Sequence, residues 1–342
     1  EKTVTENCRT MHSGGWSVLR TMVAEGCKPP APRGGHTATL VDKNILIQGG
    51  QQHKSSGTFE YFSLNPVVLN TETHTWFEPR VSLGKGPHNR AYHTTTRIGG
   101  NLLVFGGSTS GFKKGGPVLL GDLPVFDLVR MAWELRDIRG RQPRPRNMHS
   151  AALMAGKLFI VGGFDGVQSL GDVHVLDTET MLWSQPTCDG KVPPSLQAHA
   201  CALVGDRLLL LGGCTVHIDD KGHTYSHSNH ETFLLHTETM MWEQLRKRGQ
   251  QPVGRSFAAA AIVENCLVLL GGWSGKCENV AELATLDLNG SGSWAVVTVP
   301  GQAPAGVYGH TATVIGTNIV VFGGWDGISP MNAVNVLDTS LL

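Results

Sequence analysis

The densest group of potential metal ligands in this sequence is a histidine-rich stretch between residues 214 and 231. Besides Cys214 and three carboxylates it contains four histidines, His217, His223, His227 and His230. Zinc accepts imidazole, thiolate and carboxylate ligands. The spacing follows no structural-zinc motif, so a polar loop explains the same residues. The stretch therefore predicts either a loop or a site for zinc or another divalent cation.

A second group is basic, because an arginine opens a recurring phrase at Arg33, Arg90, Arg146 and Arg255. A guanidinium group donates planar, bidentate hydrogen bonds that fit carboxylates and phosphates. We therefore expect these arginines to bind an acidic or phosphorylated peptide. The alternative is that they are solvated charges without a partner.

Aromatic residues follow three of the recurring glycine pairs, at Phe164, Trp273 and Trp325, and Asp165 and Asp326 come next to two of them. Tryptophan and arginine often carry binding energy at protein interfaces. One interpretation is a flat platform for a peptide. The other is that Trp273 and Trp325 pack between structural units.

Signatures of catalysis are weak. Histidines recur once per unit in five of six units, which favours a role in the scaffold; they are His36, His93, His149, His199 and His310. The sequence contains no P-loop, no GxGxxG before a helix and no Ser-His-Asp phrase. We expect no enzymatic activity, and the alternative is a metal-dependent enzyme that uses the histidine-rich stretch.

An internal repeat defines the secondary-structure elements that position these residues. Glycine pairs recur six times, at 49–50, 106–107, 162–163, 212–213, 271–272 and 323–324. A tryptophan recurs in the same rhythm at Trp76, Trp133, Trp183, Trp242 and Trp294. Each unit reads as four short strands with turns between them, which predicts an antiparallel meander, here with strands named a to d in chain order. Such units bury their faces only by stacking on each other.

The glycine pairs and spaced tryptophans resemble the kelch β-propeller family, in which one repeat forms one four-stranded blade. The resemblance implies an all-β, six-bladed propeller over residues 1–342. Blades are expected at about 33–80, 90–137, 146–187, 195–246, 255–298 and 307–338 plus 14–23. Because no such tryptophan follows the sixth glycine pair, we expect an N-terminal strand around Trp16 to complete the last blade.

The two ends of such a propeller differ. The b–c loops and the d–a links share one end, here called the loop face, and the a–b and c–d turns share the other, the turn face. The b–c loops vary most in length, and variable loops on a rigid scaffold usually bind. The family resemblance implies that the opening arginines and post-glycine aromatics contact peptides, although Ser195 and Val307 break the arginine pattern.

Composition narrows the functional classes. Lys plus Arg and Asp plus Glu are equal at 28 each, so the overall charge indicates no nucleic-acid partner. No apolar run reaches the length of a membrane span. Seven cysteines, an odd number, suggest free thiols in a reducing compartment, so we expect a cytoplasmic or nuclear location. We also expect the chain to be a segment of a longer protein.

These features predict a protein–protein interaction module that binds an acidic or extended peptide on the loop face. It would serve as a substrate receptor, a targeting domain or a scaffold, with a ubiquitin-ligase or phosphatase assembly as an expected context. No cofactor is expected apart from the divalent cation of the alternative interpretation.

Overall fold

The computed structural model describes residues 15–54, 57–82, 86–111, 116–134, 136–275, 279–289 and 292–342. Residue 14, which the prediction placed in the last blade, lies outside these ranges. Within them the chain is built from β-strands, with one short 3-10 turn at Thr339–Leu341. Six sheets, each with a four-stranded antiparallel core, are arranged as the blades of a propeller. The predicted fold is therefore confirmed.

The blades are numbered in chain order, and their strands run from the axis outwards. Strands a are Gly34–Val41, Thr94–Ile98, Ser150–Met154, Ala200–Val204, Ala259–Val263 and Thr311–Ile315. Strands b are Asn44–His53, Asn101–Phe105, Lys157–Val161, Arg207–Leu211, Cys266–Leu270 and Asn318–Phe322. Strands c are Val67–Asn70, Val125–Asp127, Val173–Asp177, Thr232–His236, Leu283–Asp287 and Val334–Asp338. Strands d are Thr75–Phe77, Ala132–Glu134, Leu182–Ser184, Met241–Gln244, Trp294–Val297 and, for blade 6, Gly15–Val18.

The ring closes through the N-terminal strand. Gly15–Val18 pairs antiparallel with Val334–Asp338, and Trp16 lies opposite Leu337. The predicted closure around Trp16 is confirmed. The next strand, Met22–Val23, does not stay in blade 6 as the predicted bounds 14–23 placed it; it runs parallel to Thr75–Phe77 of blade 1. The chain crosses here because it must reach the first strand of blade 1.

Within the described ranges, three of the b–c loops contain strands of their own. Blade 1 adds Phe59–Tyr61 against its strand b. Blade 2 pairs Ser108–Thr109 with Val118–Leu119, and blade 4 forms a longer hairpin from Cys214–Ile218 and Thr224–Ser228. The described parts of these three loops thus project from the loop face as β-structure.

Six backbone hydrogen bonds form a closed ring around the axis. Each connects the residues at the start of neighbouring blades, for example Tyr92 N–H to the Gly35 oxygen at 2.7 Å and Met148 N–H to the Tyr92 oxygen at 3.0 Å. The remaining bonds are donated by Ala198, Phe257, Gly309 and Gly35. All six residues have a positive φ, between 53° and 66°. This left-handed turn aims each N–H at the preceding blade.

The glycine pairs permit close contact between blades. A Cβ on Gly106 would lie 2.6 Å from the Arg146 carbonyl oxygen and 2.9 Å from Cε1 of His149, both in the next blade. The second glycine of the pair, Gly107, donates its N–H to the same carbonyl at 2.8 Å. The pairs are therefore architectural, because a side chain would collide with the neighbouring blade.

The hydrophobic core lies between adjacent blades. In one cluster Leu103 and Phe105 of blade 2 pack with Leu158, Ile160 and Trp183 of blade 3. Burying a large apolar side chain of this kind contributes roughly 1.5–3 kcal/mol. Neighbouring blades therefore stabilise each other, and the loop face rests on a rigid ring.

Candidate functional site

Three of the four opening arginines form ion pairs with a carboxylate of their own blade, an arrangement here called the arginine clip. Arg146 donates to the Gly162 oxygen at 2.9 Å and, in a bidentate pair, to the carboxylate of Asp172 at 2.6 and 2.9 Å. Its side chain is 0% exposed. Although burial opposes it, hydrogen bonds from Arg146 and His174 hold the pKa of Asp172 below its ordinary value.

The same arrangement recurs in blades 2 and 5. Arg90 forms a bidentate pair with Asp122 at 2.7 and 2.8 Å, and Arg255 bonds to the Glu282 carboxylate. The structure corrects the prediction that Arg90, Arg146 and Arg255 bind a partner. Their guanidinium groups are buried and already hold carboxylates of the same chain, so they fasten the b–c loop to the start of the blade.

Arg33 differs from the other three. It is 5% exposed, and it donates to the Ala31 oxygen at 3.1 Å and to the Gly49 oxygen at 2.9 Å. Its guanidinium carbon lies 4.1 Å from the centre of the Phe62 ring. Among the described contacts it makes no hydrogen bond to a carboxylate.

The post-glycine aromatics separate into two groups. Trp325 is buried against Gly34 of blade 1 and bridges to Tyr308, so it packs between blades and does not form an open platform. Phe164 and Trp273 are half-buried on the loop face. Of the three post-glycine aromatics, Phe164 and Trp273 therefore leave part of their rings exposed.

The two aspartates of the predicted platform shape turns. Asp165 accepts hydrogen bonds from the Val167 and Gln168 N–H groups and from Arg144 at 3.0 Å. Asp326 does the same with the N–H groups of Ile328 and Ser329, and these bonds hold the pKa of its carboxyl below the ordinary value. Both carboxylates are half-buried, and their hydrogen bonds order short b–c loops.

The histidine-rich stretch forms the hairpin of blade 4. In it His217 lies opposite Tyr225 and His227 opposite Thr215, while His223 bonds through Nδ1 to Asp219 at 3.0 Å. His230 lies apart, against Gly254 of the next link. In the part of the chain that the structure describes, no three His, Cys, Asp or Glu side chains gather as metal ligands. The structure thus does not bring the four predicted ligands together.

The recurring histidines connect blades near the axis. His149 Nε2 shares a hydrogen bond with Thr94 Oγ1 at 2.9 Å, and His199 Nε2 shares one with Ser150 Oγ at 2.8 Å. His36 and His93 bond in the same way. The scaffold interpretation thus agrees with the geometry, in which these four histidines bond to hydroxyl groups of the preceding blade.

A cavity of about 180 Å³ lies on the axis between these histidines. Tyr92 and Phe257 also line it, with ring centres 5.7 Å apart, and Tyr308 packs on Phe257 at 6.1 Å. Burial lowers the pKa of His199 and of His310 to about 4, so both imidazoles are neutral at pH 7. The axis is therefore a neutral, partly aromatic surface at the centre of the loop face.

Sequence reasoning missed the tyrosines of the loop face. The chain has four, Tyr61, Tyr92, Tyr225 and Tyr308. Tyr61 and Tyr225 lie in b–c loops, and Tyr92 and Tyr308 lie where d–a links enter strand a. All four thus belong to one face. The repeat register would have revealed this, because it assigns each tyrosine to a loop or a link of that face.

Exposed apolar side chains occupy the loops of the same face. Large hydrophobic residues at least 43% exposed occur in five b–c loops, at Phe59, Val118, Val167, Tyr225 and Ile328. A groove of about 670 Å³ opens beside Trp133 in blade 2, with Pro87, Leu123 and Ile138 as further apolar walls. Its volume is that of sites that hold small ligands or peptide side chains.

The loops of blades 2, 3 and 4 are continuous. Leu119 Cδ1 lies 3.6 Å from the Cβ position of Gly166, and the Ile218 N–H donates to the Val167 oxygen at 3.0 Å. Gln168 also bridges to His217 of the blade 4 hairpin. Three neighbouring blades thus share one surface.

These features define a six-bladed β-propeller whose loop face carries aromatic and apolar groups over a rigid ring. The KLHDC2/KLHL20/DRC7 Kelch-repeats domain matches residues 5–213 and 219–342, and the chain belongs to this kelch family. Proteins of this family are generally interaction modules without enzymatic activity, and its propellers bind proteins.

Several curated relatives share part of the chain. It is 34% identical to Acyl-CoA-binding domain-containing protein 5 of Arabidopsis thaliana over 157 residues, 45% of this chain and 22% of that protein. It is 42% identical to Rab9 effector protein with kelch motifs of Gallus gallus over 100 residues, 29% of this chain and 26% of the relative. It is 28% identical to human Kelch domain-containing protein 3 over 134 residues, 39% of this chain and 32% of the relative. The chain thus matches between a fifth and a third of the length of these relatives.

Two features concern the described residues as a whole, namely the cysteines and the helical segments. Five cysteines in the described ranges, Cys27, Cys188, Cys201, Cys214 and Cys266, are free thiols. None of the described helical segments has the length and apolar character that crossing a bilayer requires.

Proposed function

We propose that this propeller captures an extended segment of a partner protein on its loop face. The observation that carries the proposal is the placement of all four tyrosines of the chain on that face. Tyrosine combines a large apolar ring with a polar tip, and it is enriched in protein interfaces. The turn face contains no tyrosine, since none of the four lies in an a–b or c–d turn.

The exposed apolar groups support the same face. Ile328 is 92% exposed, and Val167 and Tyr225 are more than half exposed, although each belongs to an ordered loop. Apolar groups that share one surface indicate an interaction site. The continuity of the loops in blades 2, 3 and 4 makes this arc the proposed centre of contact.

In this proposal the partner segment is bound mainly through apolar and aromatic contacts. Three of the arginines on which an acidic peptide was predicted hold internal carboxylates instead. The groove beside Trp133 provides space for one side chain of the segment, while Phe164 and Trp273 offer ring surface nearer the axis.

We propose a receptor or scaffold role in which other domains or subunits supply any chemistry. One relative is called a Rab9 effector and another contains an acyl-CoA-binding domain, so the propeller occurs beside different partners and activities. A substrate receptor of a ubiquitin ligase and a targeting domain of a phosphatase both fit this role. We also propose a cytoplasmic or nuclear location, for which the free thiols are the support.

The test is a triple variant of the loop face, Val167→Ser, Tyr225→Ser and Ile328→Ser. All three side chains are exposed, so the variant is expected to keep the unfolding midpoint of the wild type. Partners captured from extract by the wild-type propeller are identified, and the affinity of the purified partner is then measured. We expect the triple variant to bind at least tenfold more weakly. Hydrogen exchange of the complex is expected to slow in residues 167–169 and 214–228.

The matched control is Val129→Ser on the turn face, where the side chain is 86% exposed. It removes an equally exposed apolar group from the c–d turn of blade 2. The control is expected to bind as the wild type does. Equal affinity of the triple variant and the wild type, or loss of binding in the control alone, would overturn the proposal.

A further inference from the structure

The six blades allow an internal comparison of the arginine clips. In blades 2, 3 and 5 the carboxylate that holds the arginine lies five positions before the aspartate that ends strand c, as Asp122 does before Asp127. In blade 1 the Gly49 N–H bonds to the Ser63 oxygen, where the Gly106 and Gly162 N–H groups bond to the backbone oxygens of Asp122 and Asp172, so Ser63 has the place of the acid. Blade 1 therefore has the arginine, Arg33, without the acid.

Arg33 is nevertheless placed as the other arginines are. Its Nε donates to the backbone two residues earlier at 3.1 Å, and its Nη1 donates to Gly49 at 2.9 Å. The corresponding bonds of Arg90 are 3.2 Å and 3.0 Å, the second to Gly106. Arg33 thus makes the two backbone bonds of the clip and lacks the two bonds to a carboxylate.

Ser63 does not replace the missing acid. Its hydroxyl carries no charge, and its Oγ accepts the N–H of Asn65 at 3.0 Å. Burial lowers the pKa of Arg33 to about 10, and the more distant Glu78 only partly offsets this. A buried cation without an acid partner is unfavourable, and pairing it with a carboxylate removes this penalty.

The carboxylate side of the clip can be reached from solvent. The arginines of blades 2, 3 and 5 are at most 1% exposed, yet Asp122, Asp172 and Glu282 are 45%, 21% and 25% exposed. The acid therefore approaches the guanidinium from the surface. By the symmetry of the blades, the corresponding edge of Arg33 faces the same way.

We propose that the edge of Arg33 is a binding site for a carboxylate supplied from outside the chain, namely an Asp or Glu side chain of the bound partner segment. The incoming carboxylate would take the place that Asp122 has beside Arg90 and would accept hydrogen bonds from both terminal nitrogens of Arg33. That the partner segment supplies the carboxylate rests on the proposed function, whereas the site itself is tested without a partner.

The test uses acetate as the probe on the purified propeller. Arginine Nε–Hε signals are followed by NMR while sodium acetate is titrated at constant ionic strength against sodium chloride, and the Arg33 signal is assigned from its loss in Arg33→Lys. We expect a saturable shift of the Arg33 signal with acetate. The Arg90, Arg146 and Arg255 signals should not respond, because carboxylates of the same chain already occupy these guanidinium groups.

Two substitutions of Ser63 make the test specific. Ser63→Asp places a carboxylate on the chain itself, so it should abolish the acetate response and raise the unfolding midpoint. Ser63→Ala removes the bond to the Asn65 N–H without adding charge, so it should keep the response. The proposal is overturned if acetate causes no saturable shift in the wild type, or if Ser63→Asp responds as the wild type does.

Partner binding separates this proposal from the preceding one. If the carboxylate belongs to the partner segment, Ser63→Asp should weaken the complex at least tenfold and Ser63→Ala by less than threefold. A partner that depends on Val167, Tyr225 and Ile328 but binds Ser63→Asp normally would contradict only the claim that the partner supplies the carboxylate. Loss of the triple-variant effect would instead contradict the loop-face interaction.

Discussion

Tyr92 and Phe257 meet on the propeller axis from opposite blades, with their ring centres 5.7 Å apart. Both residues have a positive φ and both belong to the closed ring of backbone hydrogen bonds. Their contact joins blades 2 and 5, which share no strand pairing. We expect a double-mutant cycle of Tyr92→Leu and Phe257→Leu to show a coupling energy of about 0.5–1.5 kcal/mol. Urea unfolding measures it, and additive effects would show that the two rings stabilise the axis independently.

The first glycine of a pair is required because neighbouring atoms leave no room for a Cβ, and not only because of its positive φ. We expect Gly106→Ala to lower the free energy of unfolding by roughly 3 kcal/mol, because the new Cβ would lie 2.6 Å from the Arg146 oxygen. Gly99→Ala is the matched control, since Gly99 has a similar φ of 57° with no atom within 4 Å of its Cβ position. It should cost only about 1 kcal/mol for the left-handed backbone. Equal costs in chemical denaturation would refute the steric explanation.

His310 lacks the hydroxyl partner that the other recurring histidines have. Its Nε2 is buried without a described hydrogen bond, and the matching position of blade 5 is Ala259, where blades 1 to 3 have Thr or Ser. Ala259→Thr should therefore stabilise the propeller by about 1 kcal/mol through a new bond to His310. Ala259→Val has nearly the same shape without the hydroxyl, so it should not reproduce the gain. If Thr and Val shift the thermal midpoint equally, packing and not the hydrogen bond is responsible.

The buried histidines make stability depend on pH. Burial, together with the charge of Arg90, lowers the pKa of His93 well below 6.5, and burial lowers the pKa of His199 to about 4. On unfolding, each imidazole returns to a pKa near 6.5. The unfolded state therefore binds more protons below pH 6.5, so the stabilisation is complete above that pH and declines as the pH falls towards 4.

Each buried histidine should lower the free energy of unfolding by roughly 1 kcal/mol between pH 6.5 and 5.5. Urea unfolding at pH 7.5, 6.5 and 5.5 measures the slope. A stability that stays constant down to pH 5.5 would contradict the neutral, buried state of the ring.

The arginine clip predicts unequal roles for two aspartates of blade 3. Asp172→Asn leaves the fully buried Arg146 without its carboxylate and should cost about 3 kcal/mol. Asp165→Asn affects only the pair with the exposed Arg144, so its cost should be below about 1 kcal/mol. Thermal unfolding compares the two variants. A small effect at Asp172 would show that Arg146 finds another acceptor.

The sequence by itself determined the blade number and the closure of the ring. Glycine pairs and tryptophans recur because every blade makes the same contacts with the next, so their count gives the number of blades. The displaced Trp16 revealed closure, since only a strand from the other end of the chain could complete blade 6. The repeat also placed the variable loops on one face.

The tertiary structure decided which charged groups remain available on that face. Arg90 meets an acid 32 residues later, Arg146 one 26 residues later, and Arg255 one 27 residues later. These separations differ because each b–c loop has its own length, so the distance from the arginine along the chain does not reveal its acid, although each acid lies five residues before the end of strand c. Whether a guanidinium faces solvent or a carboxylate of its own blade depends on how the loop returns to strand c. For the same reason the unmatched Arg33 became visible only when the blades were compared in space.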